Sequence, residues 1–246
     1  MDTQNIFHRS ELLIGNEAMK RIAHKRVIIF GVGGVGSWCA ESLIRSGIGE
    51  LTIVDCDRVC PTNINRQLMA TTETVGEPKV EVLQKRLLTI NPEARITALQ
   101  ERFSEDTADT FSIDTYDYVI DAIDSLRDKA LLIELTCRTQ ARLFSSMGAA
   151  LKMDPTRIRI TEFWKVTGDP LARALRNHFK RQKRFPQRRF QCVFSDELLH
   201  NQGGTKEPNP TNKLQPNGSI VHITATFGFM LAGLVIQDII SEVPTP

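Results

Sequence analysis

The sequence predicts a doubly wound α/β fold with a mainly parallel sheet, and three observations carry that prediction. The apolar run Val27-Ile-Ile-Phe30 gives way to the glycine cluster Gly31-Val-Gly33-Gly34-Val-Gly36, and helical spacing resumes from Trp38 to Ile44. A second apolar run, Leu51-Thr-Ile-Val54, follows and ends at Asp55. Strand and helix patterns then alternate at short spacing to about residue 150. Glycines remove Cβ where the backbone must turn sharply and approach a ligand, and the helix behind them offers free N–H groups to a phosphate. An acid at the end of the next strand stands where the Rossmann-like fingerprint puts its ribose-binding carboxylate. Strands joined through helices run parallel and are covered on both faces.

Each element follows in order. Leu12, Leu13, Met19 and Ile22 have the spacing of an amphipathic helix interrupted by Gly15, with Arg9 just ahead of it. The first crossover helix ends at Gly47, a natural left-handed cap. After Asp55 the chain runs through a polar loop, Asp57-Arg-Val-Cys-Pro61-Thr-Asn63-Ile-Asn65-Arg66-Gln67, instead of turning at once into a helix. The next helix begins at Pro78, suited to a first helical position, and stops at Asn91-Pro92. Strands are expected at Arg95 to Leu99, Tyr116 to Asp121 and Arg142 to Met147, with a helix from about Asp128 to Gln140. Residues 1–150 thus read as a nucleotide-binding core and 151–246 as an extension for substrate and dimerisation, within one domain. The extension has mixed strands (Arg157 to Glu162 alternates as one), a basic segment helical to Lys180, and a long loop from Asn201 to Gly218. Ile220 to Ile240 is apolar enough to raise a membrane span, but His222, Gln237 and Asp238 are poor for hydrocarbon, so a packed C-terminal helix is expected.

Composition narrows the partners. The 246 residues are 41% hydrophobic, enough for one large α/β core. Five scattered cysteines form no C-x-x-C pair, which argues against a four-cysteine zinc and a disulfide framework. With no signal-peptide pattern at the start, a cytoplasmic home is expected. The net charge of +2 hides an asymmetry: residues 173–189 hold Arg173, Arg176, Lys180, Arg181, Lys183, Arg184, Arg188 and Arg189 and no acid. Without those eight, 23 basic face 29 acidic side chains. A basic segment on an acidic body fits either a polyanionic partner or a solvated helix face.

In such a sheet, ligands sit beyond the carboxyl ends of the strands. That edge collects Gly33, Gly34, Asp55, Asp57, Asn63, Arg66 and Asp124, with Lys79 at the start of the following helix. Two cations beside a phosphate-ready turn exceed what a nicotinamide cofactor needs and suit a triphosphate. Asp124 suits Mg2+, an ion that takes one or two carboxylates plus phosphate oxygens.

Gly31-x-Gly-Gly-x-Gly36, Val54-Asp-x-Asp57, Thr62-Asn-x-x-Arg66-Gln67, Val75-Gly-x-x-Lys79 and Asp121-x-x-Asp124 together resemble the adenylating domain of the ubiquitin-activating-like superfamily. The resemblance implies ATP and Mg2+, an acyl-adenylate on a substrate carboxylate, and release of pyrophosphate. It implies that Asp55 holds the ribose, Asn63 orients the nucleotide, Arg66 and Lys79 offset phosphate charge, and Asp124 holds the metal. It also implies homodimers in which Arg9 reaches the partner's phosphates. Later stretches, Asp154-Pro-Thr-x-Ile158, Gly168-Asp-Pro-Leu-Ala172, Cys192-Val-Phe-Ser195 and Thr224-Ala-Thr-Phe-Gly-Phe229, resemble the branch that dehydrates threonylcarbamoyladenosine in tRNA. That branch implies tRNA as substrate and a cysteine desulfurase with its sulfur acceptor as partners; DNA and a stable membrane span are not expected. The basic segment would then contact tRNA, with Phe179, Phe185 and Phe190 either stacking on bases or packing in the core. Cys192 reads as a packed residue rather than a nucleophile. The alternative is an activator of a small ubiquitin-like sulfur carrier, whose members usually carry the two C-x-x-C pairs missing here. A dinucleotide-binding redox protein would need neither the polar loop nor Lys79.

Overall fold

A computed structural model describes residues 5–203 and 217–242. Seven strands form one sheet in the order β3-β2-β1-β4-β5-β7-β6. They are β1 (Arg26–Phe30), β2 (Glu50–Val54), β3 (Arg95–Leu99), β4 (Tyr118–Asp121), β5 (Arg142–Ser146), β6 (Ile158–Glu162) and β7 (Gln191–Ser195). All pairings are parallel except that of β6, which runs antiparallel to β7 at one edge. Val27, Ile28, Ile29 and Phe30 are all sealed, because helices cover both faces and a central parallel strand has no wet side. β6 keeps the apolar–polar alternation of an edge strand and leaves Ile160 exposed.

The helices are α1 (His8–Ile14), α2 (Asn16–His24), α3 (Gly36–Arg45), α4 (Lys79–Ile90), α5 (Leu126–Thr136), α6 (Pro170–Gln182) and α7 (Val221–Ser241). Side chains of α2, α3, α4 and α7 pack with Val27 and Ile29 on one face. Those of α5 and α6 pack with Ile28 and Phe30 on the other. The chain steps from β1 outward to β2 and β3, then returns to place β4 on the other side of β1. That reversal opens a crevice at the carboxyl ends of β1 and β4.

Several expectations change. The N-terminal amphipathic stretch is two helices, broken at Gly15 with φ of +82°, and α1 buries no residue, with Leu12 and Leu13 exposed. Pro78 is extended and precedes α4, because it bridges to Arg58. The helix expected from Asp128 starts at Leu126 and ends at Thr136, and the basic helix runs to Gln182, where Lys183 turns left-handed at φ +53°. β7 takes in the Cys192–Ser195 stretch, for which no strand is expected. Of the loop expected over 201–218, residues 204–216 lie outside the described residues.

The C-terminal helix packs on the protein, as expected. It is long and apolar enough to cross a membrane, with 21 residues and mean hydropathy 1.8, yet half of its most apolar stretch is buried. Gly228 explains how it seats. A Cβ there would lie 2.5 Å from Val35 O and 2.8 Å from Cys39 N, so the missing side chain lets α7 cross the first turn of α3 at backbone contact.

Candidate functional site

The crevice is a cleft of about 840 Å³, and all eight residues expected to bind a nucleotide line it: Gly33, Gly34, Asp55, Asp57, Asn63, Arg66, Lys79 and Asp124. Its floor is the turn after β1. A Cβ on Gly36 would meet Gly31 O at 1.9 Å, so only glycine closes this turn. No side chain caps the start of α3; Ser37 N turns back to Gly33 O at 3.2 Å, and the amides just before it are left to an anion. Gly34 rests against Thr224 of α7, so the turn is braced from behind.

Asp55 follows β2 directly. Its carboxylate accepts from Val32 N at 2.9 Å and from Asp57 N at 2.9 Å, which locks it against the turn. Burial pushes its pKa up, and Lys79 opposes that shift. Lys79 Nζ lies 2.7 Å from Asp57 and 4.0 Å from Asp55. The hydrogen bond from Lys79 holds the Asp57 carboxyl below its ordinary value. Lys79 is therefore a buried, paired cation rather than a solvated one. The backbone closes the same neck: Lys79 N donates to Asp57 O at 3.1 Å and Val59 N to Glu77 O at 2.8 Å.

Within the loop thus closed, a short turn at Pro61–Asn63 sets the polar side chains. Asn63 Oδ1 accepts from Cys60 N at 3.1 Å, which leaves its amide nitrogen toward other partners. Arg66 reaches Thr62 O at 2.7 Å and Asn65 Oδ1 at 3.0 Å, and Trp38 Nε1 donates to Arg66 O at 3.0 Å.

Asp124 sits on the turn after β4. That turn is gripped from below by Lys129 and Asp121, both fully buried and 2.8 Å apart. Lys129 Nζ donates to Ile123 O at 3.0 Å, while Asp121 accepts from Ile123 N at 3.2 Å and from Ser145 Oγ at 2.6 Å. Asp124 itself is exposed and makes no hydrogen bond or ion pair with the described residues. Asp55, Cys56 and Asp57 bring possible ligand atoms within 4.8 Å of one another, but the Lys79 ammonium already neutralises that group. Asp124 is thus a carboxylate left available to a divalent ion, and the cleft offers a triphosphate an anion-ready turn with two cations.

Arg9 is exposed on α1 and away from this chain's own cleft, and its expected place at a partner's phosphates concerns a second copy. The expectation for the basic segment is corrected in part. Three cations of the basic segment are tied into the fold by their guanidinium groups, although Arg184 and Arg188 stay exposed. Arg176 donates to Phe163 O and Val166 O, Arg184 pairs with Glu134 at 2.9 Å, and Arg188 donates to the carbonyls of Thr136, Cys137 and Ala141. Arg173, Lys180, Arg181, Lys183 and Arg189 are exposed and unpaired among the described residues. Phe179 and Phe190 are buried, whereas Phe185 is 49% exposed. Cys192 is fully buried and its thiol is pushed up by burial, as a packed residue should be.

Several cleft residues escaped the sequence reading. Arg102 binds Asp128 at 2.7 Å on one wall, and Gly148 with Ala149 and Ala150 forms another. Asp169 holds that second wall, accepting from Gly148 N at 3.1 Å while capping α6 through Ala172 N at 2.8 Å. The signal for it was the Gly168-Asp-Pro sequence, a cap followed by proline at the first helical position.

The ThiF family model matches residues 7–244 of the chain. The tRNA threonylcarbamoyladenosine dehydratase of Bacillus subtilis is 37% identical over 244 residues, which cover 96% of this chain and 95% of that protein. The crystal structure of E. coli tRNA N6-threonylcarbamoyladenosine dehydratase in complex with ATP matches with a TM-score of 0.85 at 37% identity, covering 96% of this chain and 94% of that one. The sulfur carrier protein adenylyltransferase of Thermus thermophilus is 37% identical over 128 residues, only 51% of this chain and 47% of that protein. Similarity to the dehydratases thus extends through the basic segment and α7, beyond the nucleotide cleft. The chain belongs to the ThiF family and, within it, to the tRNA threonylcarbamoyladenosine dehydratases.

Proposed function

We propose that this enzyme uses ATP to dehydrate threonylcarbamoyladenosine in tRNA through an acyl-adenylate of the threonyl carboxylate. A carboxylate oxygen attacks the α-phosphorus of ATP, the bond to the β-phosphate oxygen breaks, and pyrophosphate leaves. An atom of the same ureido side chain then attacks the activated carbonyl and expels AMP, closing a ring with net loss of one water. Neither step needs a protein nucleophile, and an intramolecular attack gains most from a held geometry.

The roles follow from the cleft. The amides behind Gly33 and Gly34 receive phosphate, Asp55 takes the ribose hydroxyls, and Asn63 orients the nucleotide. Arg66 and Lys79 offset the charge that develops on the phosphates, the main source of rate in such transfers. Lys79 is held beside Asp57, so a triphosphate offers it a second anionic partner of the same kind. Asp124 would hold Mg2+, which would supply further charge neutralisation. Arg173, Lys180, Arg181, Lys183 and Arg189 would meet tRNA phosphates. A second copy of the chain, bringing Arg9 to the neighbouring site, and a cysteine desulfurase with its sulfur acceptor are partners proposed on family resemblance, as is a cytoplasmic location.

The observation that carries this reading is that Arg66, Lys79 and Asp124 share one cleft with the glycine turn. Mass spectrometry of tRNA nucleosides after incubation with protein and ATP tests it: threonylcarbamoyladenosine should lose the mass of one water. Arg66→Ala and Asp124→Ala should abolish that loss with the fold intact, and normal turnover in either would refute the site.

A further inference from the structure

Away from the cleft, two large aromatic side chains stand side by side in water. Trp164 is 38% exposed and Phe185 49%, with ring centroids 6.2 Å apart and planes tilted by 43°. Trp164 is anchored from behind by a buried aromatic cluster. It meets Phe163 edge-on at 5.0 Å, and Phe163 in turn stacks on Phe190 at 5.0 Å and meets Phe179 at 6.0 Å. Arg176 lies over Phe163 at 5.9 Å and ties the same turn to α6 through two carbonyls. The indole therefore stands on a rigid base, a poor choice for a residue with nothing to bind.

Cations flank both aromatics in the chain. Lys165 adjoins Trp164, Lys183 and Arg181 precede Phe185, and all three are exposed and unpaired among the described residues. Phe190, at the base of the same aromatic cluster, lines a hollow of about 240 Å³ together with Arg142, Arg188 and Arg189. Its one acidic lining residue, Glu162, accepts from Trp164 N at 3.2 Å, and Arg142 is paired with Asp238 at 3.2 Å, which leaves Arg189 as the unpaired cation. Exposed aromatics beside unpaired cations match what an unpaired base and its phosphate require. The platform is also within reach of the cleft. α6 carries Leu171 on the cleft wall at one end and leads to Phe185 at the other. At 1.5 Å of rise per residue, the helix separates the two places by about 15–20 Å.

We propose that Trp164 and Phe185 form a stacking platform for an unpaired nucleotide of the substrate tRNA, one reached from the modified adenosine along α6, with Arg189 contacting the adjoining phosphate. This rests on the tRNA reading above and adds a second contact with the RNA, distinct from the cleft.

The test uses the full chain with tRNA bearing threonylcarbamoyladenosine, read by AMP release and by binding of the same tRNA. The Trp164→Ala/Phe185→Ala variant should raise Kd and KM for tRNA by about 5- to 100-fold, the range for loss of one or two base stacks. Its kcat at saturating tRNA and its affinity for ATP should stay unchanged. Trp164→Phe, which keeps an aromatic face, should recover most of the affinity. It should also lose the part of the tryptophan emission that RNA quenches through Trp164, Trp38 being the chain's other tryptophan. Arg189→Ala should lower the slope of log K against log salt by about 0.7–1. Unchanged tRNA affinity in the double variant, or a fall in kcat with KM unmoved, overturns the platform. A wild-type chain that neither binds this tRNA nor releases AMP with it fails at the earlier step and removes both readings.

Discussion

The βα units that begin at β2 and at β4 are built from the same parts and use them differently. Each strand leads into an aspartate, Asp55 or Asp121, and each following helix sends a lysine back to it, Lys79 or Lys129. After β4 the connection is only residues 122–125, so α5 closes at once over the strand end and the pair is sealed. After β2 the chain travels through residues 55–78 before α4 starts, and the unit stays open at the rim. Lys79 consequently shares its charge between the partly buried Asp55 and Asp57, whose side chain is 62% exposed. Loop length thus decides whether a lysine–aspartate pair becomes a fixed strut or a cation able to meet a ligand.

That contrast can be broken experimentally, and the largest effect should come from the strut. Lys129→Met leaves Asp121 buried without its partner and should cost about 3–5 kcal/mol, read as a fall in melting temperature of about 10 °C. A loss under about 1 kcal/mol would mean that the pair holds nothing. Lys79→Ala should behave in the opposite sense: tRNA-dependent AMP release should fall by roughly 10²-fold or more, while denaturant unfolding moves much less than for Lys129→Met. Equal stability losses in the two variants would erase the distinction between them.

A third substitution asks whether the open unit depends on its brace. Gly228→Ala forces a Cβ into Val35 O and Cys39 N, and overpacking of this kind costs about 1–3 kcal/mol. Because α7 also backs Gly34 through Thr224, calorimetry should show weaker ATP binding as well. Intact ATP affinity would separate the helix from the turn.

The smallest effect concerns pH. Lys79 holds the Asp57 carboxyl below its ordinary value of 3.8, so the unfolded chain takes up that proton first as the solution is acidified. The stabilisation from this pair is complete above that ordinary value and is lost as pH falls through the lower folded one. Asp57→Asn should therefore flatten that part of the acid limb of a stability-against-pH curve, modestly, because water screens an exposed carboxylate. An unchanged limb would show that Asp57 and Lys79 are not coupled.

The legible features were local ones. Runs such as Val27–Phe30, Leu51–Val54 and Arg95–Leu99 announce parallel strands within a residue or two of their observed bounds, because periodicity and turn residues act over a few positions. The eight cleft residues were legible for a related reason: once strands are parallel, residues just past their ends share one edge. The basic segment was not legible in the same way. Nothing in the run from Arg173 to Arg189 distinguishes Arg188, which donates to three carbonyls, from Arg189, which is unpaired among the described residues. A guanidinium's partners here are backbone oxygens brought together by distant elements.

By itself the sequence determined where the core strands lie along the chain, the glycine turn and the identity of the charges gathered above it, since these depend on neighbours in the chain. Only the tertiary structure decided that Lys79 is paired, that Lys129 is sealed, that α7 braces the turn through Gly228 and Thr224, and that Trp164 faces water beside Phe185. Each of those outcomes depends on which surfaces meet after folding, where a missing Cβ or a longer loop changes the environment of a side chain far away in sequence.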